Sequence, residues 1–114
     1  MIVGIPINSN SRNSEIALRF ARAKYFAVIH RENNSLEIIP NPCLGMETQA
    51  GKCTLIYLMS RKNIDTIIAY EFGLNAQQIA QENNIQIILI KDNKRKLKDL
   101  FKIMNFKTEE SYEH

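Results

Sequence analysis

TIIAYEFGLNAQQIAQENNIQIILI, Thr66 to Ile90, is the stretch that decides the fold. Its two apolar, β-branched runs, Thr66 to Ala69 and Gln86 to Ile90, are too short for helices and read as strands. Between them Asn75 to Asn83 reads as a helix. It stops at Asn84-Ile85, because asparagine tolerates the left-handed conformation and the apolar residue after it covers the last turn. Asn75 with Gln78 three residues later resembles a capping box, which places the helix start at the loop FGLN. Strand, helix and strand at this spacing form a parallel crossover, and such crossovers are right-handed.

The same stop recurs at Asn63-Ile64 and Asn105-Phe106, so helices are expected over Thr48 to Lys62 and Asp92 to Met104. In the last of them Leu97, Leu100, Phe101 and Met104 fall at i, i+3, i+4 and i+7, with Lys94, Lys98 and Lys102 set away from that stripe. Upstream, Ile2 to Ile7 is a short apolar strand that runs out near Pro6 into the polar loop NSNSRNS. Tyr25 to His30 and Leu36 to Ile39 flank the polar turn RENNS as a hairpin, and Pro40 and Pro42 forbid its regular continuation. Ile16 to Phe20 fits a helix and a strand equally well. A hairpin after the first strand, then right-handed crossovers, gives a three-layer α/β/α sandwich with a mixed five-stranded sheet. A single domain is expected over residues 1–106, followed by a polar, frayed tail at 107–114.

Composition agrees with that architecture: 114 residues, 45% hydrophobic and 24% charged, suit one domain with one core. MIVGIPI carries no cationic leader and is too short for a secretory segment, and no apolar run approaches the roughly 18 residues of a membrane span. A cytoplasmic protein with no membrane partner is the expectation. The formal net charge of +3 is mild, and the basic excess sits in KDNKRKLKDLFK, Lys91 to Lys102. Its one aromatic, Phe101, belongs to the apolar stripe, whereas a nucleic-acid surface interleaves aromatics with its cations, so no nucleic-acid partner is expected.

Two cysteines in such a chain make a poor disulfide framework, and Cys43 and Cys53 are expected to be reduced thiols. Their separation lacks a second close pair, and His30 and His114 are remote, so they are not a zinc motif. Cys43 follows Asn41-Pro42 in the loop entering a helix, where the dipole and Lys52 would favour its thiolate. Cys53 reads equally as a small core residue or as a second ligand. Backbone N–H groups and one lysine for negative charge, with soft thiolates for iron, suit an anionic metal cluster. AGKCT, Ala50 to Thr54, is not a phosphate loop: five residues instead of four separate Gly45 from Gly51, and Cys53 stands where a hydroxyl is needed. A two-metal nuclease is the less favoured reading because the first strand has no carboxylate and Asp65 is the sole one at the fourth. A thiol enzyme lacks a base, since no histidine is positioned by sequence to activate Cys43. Arg22 could clamp an anion or equally form a surface ion pair with Glu15 or Glu47, and Asn8, Gly73 and Asn75 would lie in loops at strand ends, where open α/β sheets bind ligands and where turns and caps use the same residues. Tyr25 and Phe26 read as hairpin core before they read as a stacking platform.

FARAKYF at Phe20 to Phe26, IIPNP at Ile38 to Pro42, AGKC at Ala50 to Cys53 and FGLNA at Phe72 to Ala76 occur in that order. Together they resemble the dinitrogenase iron-molybdenum cofactor biosynthesis family, the NifX-like or nitrogenase accessory factor-like domains, from about Met1 to Phe106. The resemblance rests on Phe20, Arg22, Ala23, Tyr25, Phe26, Asn41, Pro42, Gly51, Gly73, Asn75 and Ala76. It implies a ribonuclease H-like motif with strand two antiparallel. It also implies a non-catalytic accessory protein, monomer or homodimer, that carries iron-molybdenum cofactor or an iron–sulfur precursor among cofactor-assembly proteins. The chain departs from the family pattern at Arg19, where a histidine is usual, and at Ala21 and Glu71, where glycines are usual. The candidate cofactor-binding residues are therefore Asn8, Arg19, Arg22, Cys43, Gly51, Lys52, Gly73 and Asn75, with Cys43 and Cys53 as candidate metal ligands. The alternative is a metal-free module that uses the same loops for a small anion or a protein partner.

Overall fold

The computed structural model describes residues 1–91 and 95–106. β1 (Ile2–Ile7) is followed by a 3-10 turn (Phe20–Arg22), the hairpin β2 (Tyr25–His30) and β3 (Ser35–Pro40), and then α1 (Ala50–Lys62), β4 (Thr66–Ala69), α2 (Leu74–Glu82), β5 (Gln86–Leu89) and α3 (Leu97–Ile103). The strands form one mixed five-stranded sheet in the order β3-β2-β1-β4-β5. β2 pairs antiparallel with both β1 and β3, while β1, β4 and β5 are parallel.

Alternation along the strands divides the core into two layers. One face of the sheet, with Phe26, Val28, Ile39 and Ile67, packs against Leu55 and Leu58 of α1 and Ala76 and Ala80 of α2. The other face, with Val3, Ile5, Ile7, Ala27, Ile29 and Ile68, packs against Leu97, Leu100 and Phe101 of α3. The apolar stripe read from the sequence is thus the buried face of α3, with Met104 partly buried behind it. The expected start of that helix at residues 92–94 and the tail at 107–114 lie outside the described residues.

The three asparagine stops are present. Asn63, Asn84 and Asn105 have φ of 57°, 57° and 53°. The N–H groups of Ile64, Ile85 and Phe106 donate back to Leu58, Ala80 and Phe101 at 3.2, 2.8 and 2.8 Å. Each satisfies a carbonyl left open by the end of its helix and turns the next apolar side chain onto the core. Ile64 also explains the glycine in β1: a Cβ on Gly4 would come within 2.7 Å of the Ile64 Cδ1.

Two expectations are corrected. Asn75 does not cap α2. The helix opens on Gly73 and Leu74 with no side-chain cap, and Asn75 lies inside its first turn. The strand also does not run out at Pro6, which is buried and pairs with Phe26 inside β1. A proline in a central strand normally costs a ladder bond. Here β4 registers with β1 only at Val3 and Gly4, so the edge of β1 beyond them is free of β4.

Candidate functional site

The parting of β1 and β4 builds the site. Segment 14–19 moves into the space: the Ala17 N–H donates to the Pro6 carbonyl at 2.9 Å, Ile7 bridges Ile16, and Arg19 bridges Glu71 beyond the end of β4. This is why Ile16 to Phe20 is ambiguous as a sequence: up to Arg19 it is neither helix nor strand but an insertion held by single bridges, and Phe20 opens the 3-10 turn. The carboxyl ends of parallel strands that diverge are where open α/β sheets leave a crevice.

A cleft of about 650 Å³ lies there. The 3-10 turn supplies Arg19, Phe20, Ala21 and Arg22. The loop into α1 and its first turn supply Glu47, Gln49, Ala50, Gly51 and Lys52, and the approach to α2 supplies Glu71, Gly73, Leu74, Asn75 and Ala76. Close approach of the three walls depends on small side chains. A Cβ on Gly51 would lie 3.7 Å from both the Ala21 and the Ala76 Cβ, so larger residues at these points would push the elements apart. Phe20 is buried beneath the opening, edge-on to Phe26 and Phe72.

The cleft's charged side chains are Arg19, Arg22 and Lys52 against Glu47 and Glu71, a small positive excess to which two helix starts add. Arg22 and Lys52 are exposed at the cleft, and no described residue forms an ion pair with either. Arg19 is drawn toward Glu71, its Nε 3.9 Å from Oε2, but both side chains are well exposed and such a pair contributes little. Both helices begin at the cleft. The first intrahelical donors are Cys53 to the Gln49 carbonyl at 3.0 Å and Gln77 to the Gly73 carbonyl at 2.9 Å. The backbone N–H groups of residues 50–52 and 74–76 precede them, with no side-chain cap and no acidic residue in either first turn. Open N–H groups and the positive ends of two helices converge with two cations on one space.

Six of the expected residues are thus brought together from three segments: Arg19, Arg22, Gly51, Lys52, Gly73 and Asn75. Asn8 is not among them. Its N–H donates to the Ser14 Oγ at 3.0 Å, and it belongs to the turn after β1. Cys43 and Cys53 do not line the cleft, and the expectation of reduced thiols is overturned: the two form a disulfide, with Cα atoms 6.1 Å apart. The path of loop 43–49 back onto α1 sets that distance, within the range a disulfide requires. With the two sulfurs bonded to each other, neither is a thiolate ligand in this state. Among the described residues no group of three or more His, Cys, Asp or Glu side chains is placed to hold a metal ion.

The bond closes a loop with a sequence separation of 10. Cys43→Ser should therefore lower stability by roughly 2–3 kcal/mol through the unfolded chain's regained freedom. Urea unfolding with and without a dithiol reductant checks this: wild type under reductant should match the variant, and an unchanged midpoint in both would remove the disulfide's stabilising role.

Sequence reasoning missed Gln49 and Leu74, and it named Glu47 only as an ion-pair partner for Arg22. Gln49 takes φ of 58° at the start of α1, and Leu74 is 81% exposed on the cleft wall. A large apolar residue after Gly73 was the available signal for the latter, since nothing in the helix pattern calls for it to be buried.

The sheet and this cleft define a small α/β domain with an amide-lined crevice of mixed charge and small positive excess at its strand ends. The family model described as dinitrogenase iron-molybdenum cofactor matches residues 1–102, and the chain belongs to that family. The apo form of the orange protein from Desulfovibrio gigas is similar in structure, with a TM-score of 0.79 and 15% identity over 91% of this chain and 87% of that one. A Thermotoga protein described as a NifB candidate of the DUF35 family is similar with a TM-score of 0.70 and 20% identity, over 91% and 86% of the two chains. At such identities the likeness is one of fold. No curated protein matches the chain. Among the described residues no helix is long and apolar enough to cross a membrane.

Proposed function

We propose that this chain is a non-catalytic carrier in metallocofactor assembly, one cytoplasmic domain over residues 1–106 that holds an anionic iron-molybdenum cofactor or iron–sulfur precursor as cargo and exchanges it with assembly proteins. The observation that carries this reading is the cleft in which Arg22, Lys52 and two uncapped helix starts converge. Membership of the iron-molybdenum cofactor family supplies the class of cargo. Arg22 and Lys52 neutralise its charge, and Gly51 and Gly73 leave the backbone amides approachable; a Cβ on Gly73 would meet nothing within 4 Å. Asn75 offers an amide donor from the third wall, and Arg19, tethered by Glu71, closes the rim. Binding of this kind rests on charge and hydrogen bonds to the cluster's periphery, with no thiolate required.

The test is anaerobic gel filtration of the oxidised chain with isolated iron-molybdenum cofactor, with molybdenum and iron quantified in the protein peak. Near-stoichiometric co-elution that survives Cys43→Ser is the expected result. No co-elution would sink the carrier reading. The absence of a metal-ligand cluster among the described residues favours one second reading, a metal-free anion module. Full displacement of the cofactor by millimolar inorganic phosphate would favour that module.

A further inference from the structure

Walls that come from distant parts of the chain need a joint, and one buried side chain ties the 3-10 turn to the loop into α1 and to α1 itself. Asn41 is 7% exposed between Pro40 and Pro42, the prolines that end β3 and restrict the backbone on either side. Its Nδ2 donates to the Ala23 carbonyl at 2.9 Å, at the close of the 3-10 turn that carries Arg22. Its Oδ1 accepts the Cys43 N–H at 3.0 Å, at the start of the loop that carries Glu47 and Gln49. The same oxygen accepts the Thr54 hydroxyl at 3.2 Å, and Thr54 lies in α1 two residues beyond Lys52. Its backbone N–H donates to the Lys24 carbonyl at 2.9 Å, so every polar group named here is paired. A carboxamide suits this point, since its nitrogen donates to the 3-10 turn and its oxygen accepts from the loop into α1 and from α1.

We infer that Asn41 is the positioning residue of the cleft: it touches no cargo and sets the spacing between Arg22 on the 3-10 turn and Lys52 with the open amides of α1. This rests on the anion-binding reading of the cleft. Cargo recognised by peripheral charge and amides is held well only if those groups stand at a fixed separation, and a buried, fully satisfied network supplies that rigidity. The disulfide reinforces one arm, since Cys43 is tied to α1 through Cys53 and to Asn41 through its N–H.

The test uses the full oxidised chain and tetrathiomolybdate, a molybdenum–sulfur dianion, as probe. Asn41→Ala should weaken binding by about tenfold or more, the usual effect of losing a group that orients a binding shell. In an Arg22→Ala, Lys52→Ala background the same substitution should change affinity less than about twofold, because a positioning residue acts through the groups it positions. Equal losses in both backgrounds would overturn the assignment in favour of general loosening. Asn41→Asp keeps both acceptor bonds and, when ionised, sets a carboxylate oxygen against the Ala23 carbonyl in place of the donor, so it breaks that arm selectively and serves as a second variant should Asn41→Ala fail to fold. Hydrogen exchange without ligand reads the joint directly. Asn41→Ala should deprotect the amides of Arg22 and Ala23 together with those of Cys43 and Cys53, and Asn41→Asp should deprotect the 3-10 turn alone, with β1 unchanged in each. If wild type fails to bind the probe, the cleft reading falls and exchange decides the joint by itself: unchanged exchange at both walls would overturn it.

Discussion

Phe20→Ala should lower the free energy of unfolding by about 3–5 kcal/mol, the largest stability effect expected of one side chain at this site. Phe20 is 2% exposed, with its ring centroid 5.2 Å from Phe26 and 4.7 Å from Phe72 at interplanar angles of 63° and 60°. Both contacts are edge-to-face, and each such pair adds about 0.5–1.5 kcal/mol beyond the burial of area. The three rings join the 3-10 turn, β2 and the residues after β4, so truncation leaves a void where three chain segments meet and none can collapse alone. A domain of this size is stable by about 5–15 kcal/mol, so the loss is a large share of the total. Urea unfolding followed by far-UV circular dichroism measures it. A loss below about 1 kcal/mol would mean that the turn is not held by this cluster and that the floor of the cleft is misassigned.

Charge reversal at the rim should do the opposite, leaving the fold and removing the function. Arg22→Glu combined with Lys52→Glu should weaken tetrathiomolybdate binding by about 100-fold at low salt, roughly tenfold for each cation, with a thermal midpoint close to wild type. Neither side chain is buried and no described residue is ion-paired with either, so no structural partner is lost. The two glutamates would also face the positive ends of α1 and α2 in place of the cargo, competing for the same amides. Because the groups are exposed, wild-type affinity should fall as ionic strength rises, and this dependence should be flattened in the double variant. Calorimetric titration at two salt concentrations, with a melt on each protein, separates the cases. Undiminished affinity in the double variant would relocate the anion site. Arg19→Glu should have a smaller effect, because Glu71 already offsets that cation.

Much of the molecule was legible from local chemistry. The three Asn-apolar stops ended helices where expected, because a left-handed residue and the apolar side chain after it act within one turn and need no distant partner. The stripe Leu97, Leu100, Phe101 and Met104 announced the buried face of α3 by spacing alone. The short β-branched runs announced strands for the same reason. The candidate site was legible in part through small and charged residues in recurring motifs: Arg22, Gly51, Lys52, Gly73 and Asn75 all reach the cleft.

What only the tertiary structure decided is what depends on contacts far apart in sequence. Pro6 sits in a central strand because β4 parts from β1 after Gly4, a feature of pairing geometry and not of the residues around Pro6. Asn75 is no cap because Gly73 occupies that place, and a capping pattern records which residues could bond but not where the helix begins. Cys43 and Cys53 are joined because the loop between them returns its first residue to the first turn of α1, and a count of cysteines carries no such path. Asn41, read as part of a motif, becomes the joint between the 3-10 turn and the α1 wall because its partners Ala23, Cys43 and Thr54 converge only after the hairpin has paired and α1 has docked. Local propensity and periodicity act over a few residues and are written in the chain; the cleft is a distance between segments, set by how the sheet diverges and which side chains fill the gap.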